Sequence, residues 1–418
     1  MMRSLCLRFM CSAIASLCVA DETPQSNVAE SLAEITTDEG AVREAIGRSL
    51  PFLKTAGVAW MEERSCMSCH HVPFLLWTHR AAAAKEFDID SQKLSDWEAW
   101  CIKDSLEQRN LYRLQSYELG KIDAATLPST VQQKLKPLIE TPFKMLDEFR
   151  KELTSVLTEE ELKLYEPVII KAAERAINAP DRTGGGLDVL GQLLLSGHGS
   201  SSELQKPEFR DGVIGLMGQL QQSDGSWVPG NQFLTMRQWS QPVASQSTTM
   251  WAAIALGEYH ASRDVNHVAI EKSIAWQLAQ PPAADNYEWL ATRLLFAKHY
   301  GSADEVERFR QQLIAARNAD GGWGWQKGVP SDPFTTGLAM YVLANVCPRE
   351  AVAEIQSARS FLLTSQQPDG SWHTPSKNIS DTTDPERLNA RDEIYHYWGT
   401  AWATLGLLES LASPSDSR

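Results

Sequence analysis

The string Gln221-Gln222-Ser223-Asp224-Gly225-Ser226-Trp227 returns almost unchanged as Gln366-Gln367-Pro368-Asp369-Gly370-Ser371-Trp372, and Arg317-Asn318-Ala319-Asp320-Gly321-Gly322-Trp323 stands between them. Trp227, Trp323 and Trp372 fit a period of roughly 48 residues with one degenerate copy, and repeats of this length are the signature of stacked supersecondary units. The degenerate copy is expected at Ser273 to Trp289, where Gln280-Pro281-Pro282 takes the place of the turn. Asp-Gly supplies the chemistry that ends a helix and turns the chain. Each turn follows a helical pattern such as Ala358 to Ser365. A second pattern succeeds it at Ser247 to Tyr259, Tyr287 to Tyr300, Phe334 to Val346 and Tyr397 to Leu411. These followers carry apolar residues on more than one face, as in Thr249 to Leu256, which marks helices packed on both sides. Two helices per repeat, one inner and one outer, predict an all-α fold: an α/α solenoid, or an α/α toroid of helix-pair repeats.

Helix, then Gln, then Gly-x-Trp resembles the QW repeat of the squalene and hopene cyclase and protein prenyltransferase β-subunit superfamily. That resemblance implies an α/α toroid and covers residues 205 to 411. It also implies a structural role for Gln222, Trp227, Trp323, Gln367 and Trp372, since a motif that recurs around a ring is not one active site. The expected organisation is a signal peptide over 1–20, a flexible segment over 21–40 and a toroid over 41–412. The toroid divides into a first repeat over 41–94, a divergent helical insertion over 95–180 with Pro128, Pro137, Pro142 and Pro167 as punctuation, and QW-like repeats over 181–412.

The signal peptide is read from Arg3 and Arg8 ahead of the apolar run Phe9 to Ala20, which is too short for a membrane span. Its removal would take the net charge from −14 to −16 and leave Cys66, Cys69, Cys101 and Cys347. An exported protein, periplasmic or extracellular and without a transmembrane anchor, is expected. The acidic balance argues against a nucleic-acid partner.

The enzymes of the resembled superfamily can be tested residue by residue. Class II cyclisation needs a carboxylic acid kept protonated among other carboxylates, supplied in the cyclases by Asp-x-Asp-Asp; no such string exists here, and Asp88-Ile89-Asp90-Ser91 reads as a capping loop. The prenyltransferases hold zinc with Asp, Cys and His. Asp332 and the Asp392, Tyr395, His396 stretch resemble two of those places, but Phe334 stands where the Cys would be and Cys347 reads as a core thiol.

Cys66-Met67-Ser68-Cys69-His70-His71 replaces a Gly-x-Trp turn and is the strongest chemical signal. Cys-x-x-Cys-His is the pattern of c-type haem attachment, two thiols bonding the porphyrin vinyl groups and the following His ligating iron. Covalent haem c on Cys66 and Cys69, with His70 as metal ligand, is therefore expected, giving a redox or haem-ligand role and a possible redox partner protein. The alternatives are zinc, or no cofactor and a disulfide. In that case the chain is a degenerate cyclase-like or prenyltransferase-like scaffold with a hydrophobic small molecule in its central cavity. No sixth iron ligand stands out; His79 and Met145 are candidates without supporting spacing. Trp239, Trp251, Trp289, Tyr341, Tyr395, Trp398 and Trp402 lie on or beside inner helices and are candidates to line that cavity.

Overall fold

The structure, a computed structural model, describes residues 25–64, 70–106, 118–120, 122, 126–140, 146–177, 186–197, 206–230, 233–234, 237–258, 264–376 and 385–412. The chain divides into two compact units, Met1–Ala41 and Val42–Arg418. Helix α1 runs over Gln25–Arg64, so the backbone is helical well before residue 41, where the toroid was expected to begin. The proposed signal peptide, Cys66, Cys69 and Met145 lie outside the described residues.

Among the described residues the fold is all-α, with two isolated β-bridges and no strand. In the unit Val42–Arg418, α2 (Val72–Ala84), α7 (Gly186–Gly197), α9 (Gln241–Gly257), α11 (Tyr287–Tyr300), α13 (Pro333–Val346) and α15 (Pro385–Ser410) contact one another in that order, and α15 returns to α2. α11 is buried on every face over the unbroken run Glu288 to Ala297. Five of the six also pack on a partner whose apolar face is narrower: α3 (Ser91–Leu106) on α2, α8 (Pro207–Leu220) on α7, α10 (Asp264–Leu278) on α9, α12 (Ala303–Ala315) on α11 and α14 (Val352–Ser365) on α13. In α12 only Phe309 and Leu313 are buried, four positions apart and therefore on one face.

Local chemistry fixes where these helices start. Asn286 caps α11 by accepting from Trp289 N at 2.9 Å, Ser302 and Glu305 form a capping box on α12, and Asp332 caps α13 ahead of Pro333. The most extensively packed inner pair is α13 with α15. There a Cβ on Gly337 would lie 2.4 Å from the Trp402 backbone, so the absence of a side chain is what permits the approach.

The QW-like turns repeat atom for atom. Trp227 Nε1 donates to Met217 O at 2.9 Å, Trp323 Nε1 to Leu313 O at 2.8 Å and Trp372 Nε1 to Leu362 O at 2.7 Å, each ten residues back. Each Trp backbone N–H meets a threonine hydroxyl on the next inner helix: Thr249, Thr336 and Thr400. Gly225, Gly321 and Gly370 have φ of 95°, 90° and 87° and abut the backbone of the following outer helix at Lys272, Ser357 and Arg48. The glutamines that bridge are the first of each pair, not the second as the resemblance implied. Gln221 Nε2 donates to Ala269 O at 2.8 Å and Gln366 Nε2 to Ala45 O at 2.8 Å, whereas Gln222 and Gln367 close the turn through their backbone N–H. Trp289 does not replace a QW tryptophan. It sits within α11 and donates through Nε1 to Gln246 Oε1 at 2.9 Å.

The helices α4 (Ser129–Glu140), α5 (Leu146–Val156) and α6 (Glu159–Ile177) stand outside this cyclic order and share a core of their own, including Leu135, Phe149, Leu153 and Ile169. Ser91–Leu106, which spans residue 95, packs on α2. No helix among the described residues is long and apolar enough to cross a membrane.

Candidate functional site

A cavity lies among the inner helices, lined by residues of α2, α7, α9, α11, α13 and α15. Its aromatic surface includes Trp77, Trp251, Phe334, Trp398 and Trp402. Phe334 meets Trp398 edge to face at 4.8 Å between ring centroids, and Trp77 meets Trp402 at 5.6 Å, the geometry aromatic quadrupoles favour. Of the seven aromatic residues singled out above, Trp239, Trp251, Trp398 and Trp402 line this space. Tyr341 is packed against Trp77 and Trp402 behind the wall, Tyr395 is fully buried at 6.4 Å from Trp398, and Trp289 is a core residue.

The polar side of the cavity was not read from the sequence. Asp188 and Gln192 of α7, Thr248 of α9, and Glu288 and Thr292 of α11 all face it. Thr248 Oγ1 donates to Asp188 Oδ1 at 3.2 Å. Glu288 is 1% exposed and is held by Arg237, itself 2% exposed, whose Nε donates to Oε2 at 3.0 Å and whose Nη2 also donates to the carboxylate. The guanidinium lies 4.1 Å over the Phe334 ring and also faces Tyr395 and Trp398. Burial pulls its pKa down, while Tyr395 and Asp332 act the other way. The signal that would have found this side is the Asp188/Gln192 spacing of four, which puts two polar side chains on one face of an otherwise apolar helix.

His70 and His71 stand at the start of α2, one turn before the cavity residue Phe74. Both are buried. His71 is stacked between Trp60 at 4.2 Å and Tyr397 at 4.1 Å, and His70 meets Trp60 edge-on at 5.0 Å. Burial pushes His70 down to about 3 and His71 well below the usual histidine range, so both rings are neutral at pH 7, the form that binds metals. Adjacent histidines are expected to diverge, yet the two Nδ1 atoms lie within hydrogen-bonding distance of one another. The αR conformation of His71, φ −119° and ψ −78°, accompanies this convergence.

The other candidates serve local structure. His79, nine residues beyond His70 and so about 13 Å farther along at 1.5 Å per residue, pairs through Nδ1 with Leu75 O at 2.8 Å, and its ring packs on Trp97. Asp332 accepts from Thr335 N at 2.8 Å as the α13 cap, His396 Nε2 pairs with Ser371 Oγ at 2.7 Å, and Asp392 bonds Ser376. No group of three His, Cys, Asp or Glu suited to a metal occurs among the described residues. Cys347 is buried at the end of α13, its thiol pushed up to about 11 by burial, as expected of a core thiol. Asp90 caps α3, accepting from the N–H groups of Gln92 and Lys93 at 3.1 Å.

No protein-family model matches the chain. It is 35% identical over 114 residues to drimenyl diphosphate synthase of Streptomyces showdoensis, a match that spans 27% of this chain and 20% of that protein. The chain thus aligns with about a fifth of its relative's length. This partial likeness and the all-helical architecture fit a terpenoid-cyclase-like fold.

Proposed function

We propose that residues 42–412 form an α/α toroid of the terpenoid-cyclase type that acts as a binding scaffold, taking an apolar small molecule into the cavity among its inner helices. The cyclic order of inner-helix contacts supports the toroid, and the aromatic lining supports an apolar occupant. Cyclisation of the class II type is not part of the proposal. The chain holds no Asp-x-Asp-Asp string, and the buried Glu288 carboxylate is already engaged by the Arg237 guanidinium. Gly191 lines the cavity, and a Cβ there would meet only Ala255 at 3.7 Å. Gly191→Leu should therefore fill the space and abolish binding of farnesol, measured by calorimetry, without lowering the melting temperature. Unchanged binding in this variant would refute the proposal.

The Cys66 to His71 segment carries a second reading, covalent haem c on an exported protein. The neutral, buried His70 fits a haem ligand in protonation state. The convergence of His70 and His71 fits a zinc or other metal site as well. In the haem reading Cys66 and Cys69 hold the porphyrin and His70 ligates the iron, which would supply redox or ligand-binding chemistry. A Soret band that survives denaturation, in protein exported from a host with haem-attachment machinery, supports haem. A colourless product rejects it and leaves metal analysis to separate zinc from a disulfide.

A further inference from the structure

The polar groups of the cavity specify more than an apolar occupant, on the reading that the cavity binds a small molecule. Among the described residues of its lining, the acceptor Gln192 Oε1 on α7 and the donor Trp398 Nε1 on α15 are buried polar atoms with no hydrogen-bond partner. Each carries the cost of a buried polar group left unsatisfied. A ligand that answers both must carry a donor and an acceptor. A hydroxyl has both, a diphosphate at neutral pH offers chiefly acceptors, and an ammonium offers donors alone.

Charge leads to the same selection. Among the described residues lining the cavity there is no Lys, Arg or His, while Asp188 and Glu288 contribute two carboxyl groups. Arg237 faces Glu288 and is already bonded to it. A diphosphate placed here would meet carboxylates and indole faces in a poorly hydrated space, with no cation of the lining to neutralise it. A hydrocarbon would leave both open polar atoms unanswered. We infer that the cavity selects an uncharged apolar alcohol, its hydroxyl placed to meet Gln192 and Trp398 and its carbon skeleton against Phe334 and Trp402, and that it rejects the corresponding diphosphate.

Three probes with one carbon skeleton test this on the full chain by calorimetry: farnesol, farnesyl diphosphate and farnesene. Farnesol should bind about tenfold more tightly than either of the others, the ratio expected when one or two buried hydrogen bonds are gained. Gln192→Leu and Trp398→Phe should each reduce that preference severalfold, with farnesene affinity unchanged. If Gln192→Leu fails to fold, Trp398→Phe still decides, because it keeps an aromatic ring in place and removes only the indole N–H. Farnesyl diphosphate or farnesene binding as tightly as farnesol would overturn the alcohol preference and leave the apolar cavity standing. Failure of all three to bind would overturn both.

Discussion

Gln366, just past the end of α14, donates through Nε2 to the carbonyl of Ala45 in α1 at 2.8 Å, across 321 positions of sequence. Gln221 makes the same bond to Ala269 only 48 positions away. The last turn thus treats α1 as its next outer helix, and the cyclic order of the inner helices has a counterpart in the outer ones. Arg48 reinforces the junction from α1, donating through Nε to Gln366 Oε1 at 3.1 Å.

Gly370 should be the most sensitive point of this junction. Its φ is 87°, and a Cβ would lie 2.0 Å from Arg48 O. Gly370→Ala is expected to cost more than about 2 kcal/mol, combining left-handed strain with displacement of α1. Gly328 has φ 77° and open space around it, so Gly328→Ala should cost only about 1 kcal/mol. Thermal denaturation of the two variants separates junction from turn; equal losses would remove the special role of Gly370.

Trp323→Ala and Trp372→Ala should each destabilise by about 3–5 kcal/mol, since each indole is fully buried and ties its turn to the preceding outer helix. Chemical denaturation measures the loss. Full stability combined with lost ligand binding would place these residues in the site and not in the scaffold.

The turns were legible in the sequence because their bonds are local: the indole reaches a carbonyl ten residues back in every copy. Which glutamine bridges was not, because neighbouring residues in an extended turn point opposite ways and a Gln-Gln pair offers both. The aromatic wall was partly legible, since Trp251, Trp398 and Trp402 lie on helices whose apolar pattern marks them as inner. The Arg237–Glu288 pair was hidden. Its partners are 51 positions apart, and no periodicity links a loop arginine to a helix glutamate. Trp289 was misplaced because its position in sequence mimics a late QW tryptophan, whereas the Asn286 cap starts α11 before it.

Breaking that pair should be costly. Arg237→Met leaves Glu288 buried without its guanidinium, and a loss of about 3–5 kcal/mol is expected. The double substitution Arg237→Met, Glu288→Leu should recover much of it, because the desolvation of both charges disappears together. Denaturation midpoints of the two single variants and the double variant decide this; a strictly additive double loss would mean that the two charges do not interact.

Acid should weaken the fold through His79. Burial holds its pKa down to about 4, with Lys54 adding repulsion and the Leu75 carbonyl partly offsetting both, against 6.5 for the free side chain. Above pH 6.5 the imidazole is neutral in both states and the stability is fully present. Between 6.5 and 4 only the unfolded chain takes up the proton, so stability falls with pH, by up to about 3 kcal/mol. His79→Gln should flatten the slope of stability against pH over that window. An unchanged slope would assign the acid sensitivity to other groups.

A crystal structure of the full chain with farnesol decides whether the inner helices enclose a cavity that holds an apolar alcohol. Ligand density is expected in the cavity among the inner helices, with the carbon chain against Phe334 and Trp402 and the hydroxyl within hydrogen-bonding distance of Gln192. An inner-helix cycle that does not close, or farnesol bound elsewhere with the cavity filled by protein side chains, would contradict this expectation.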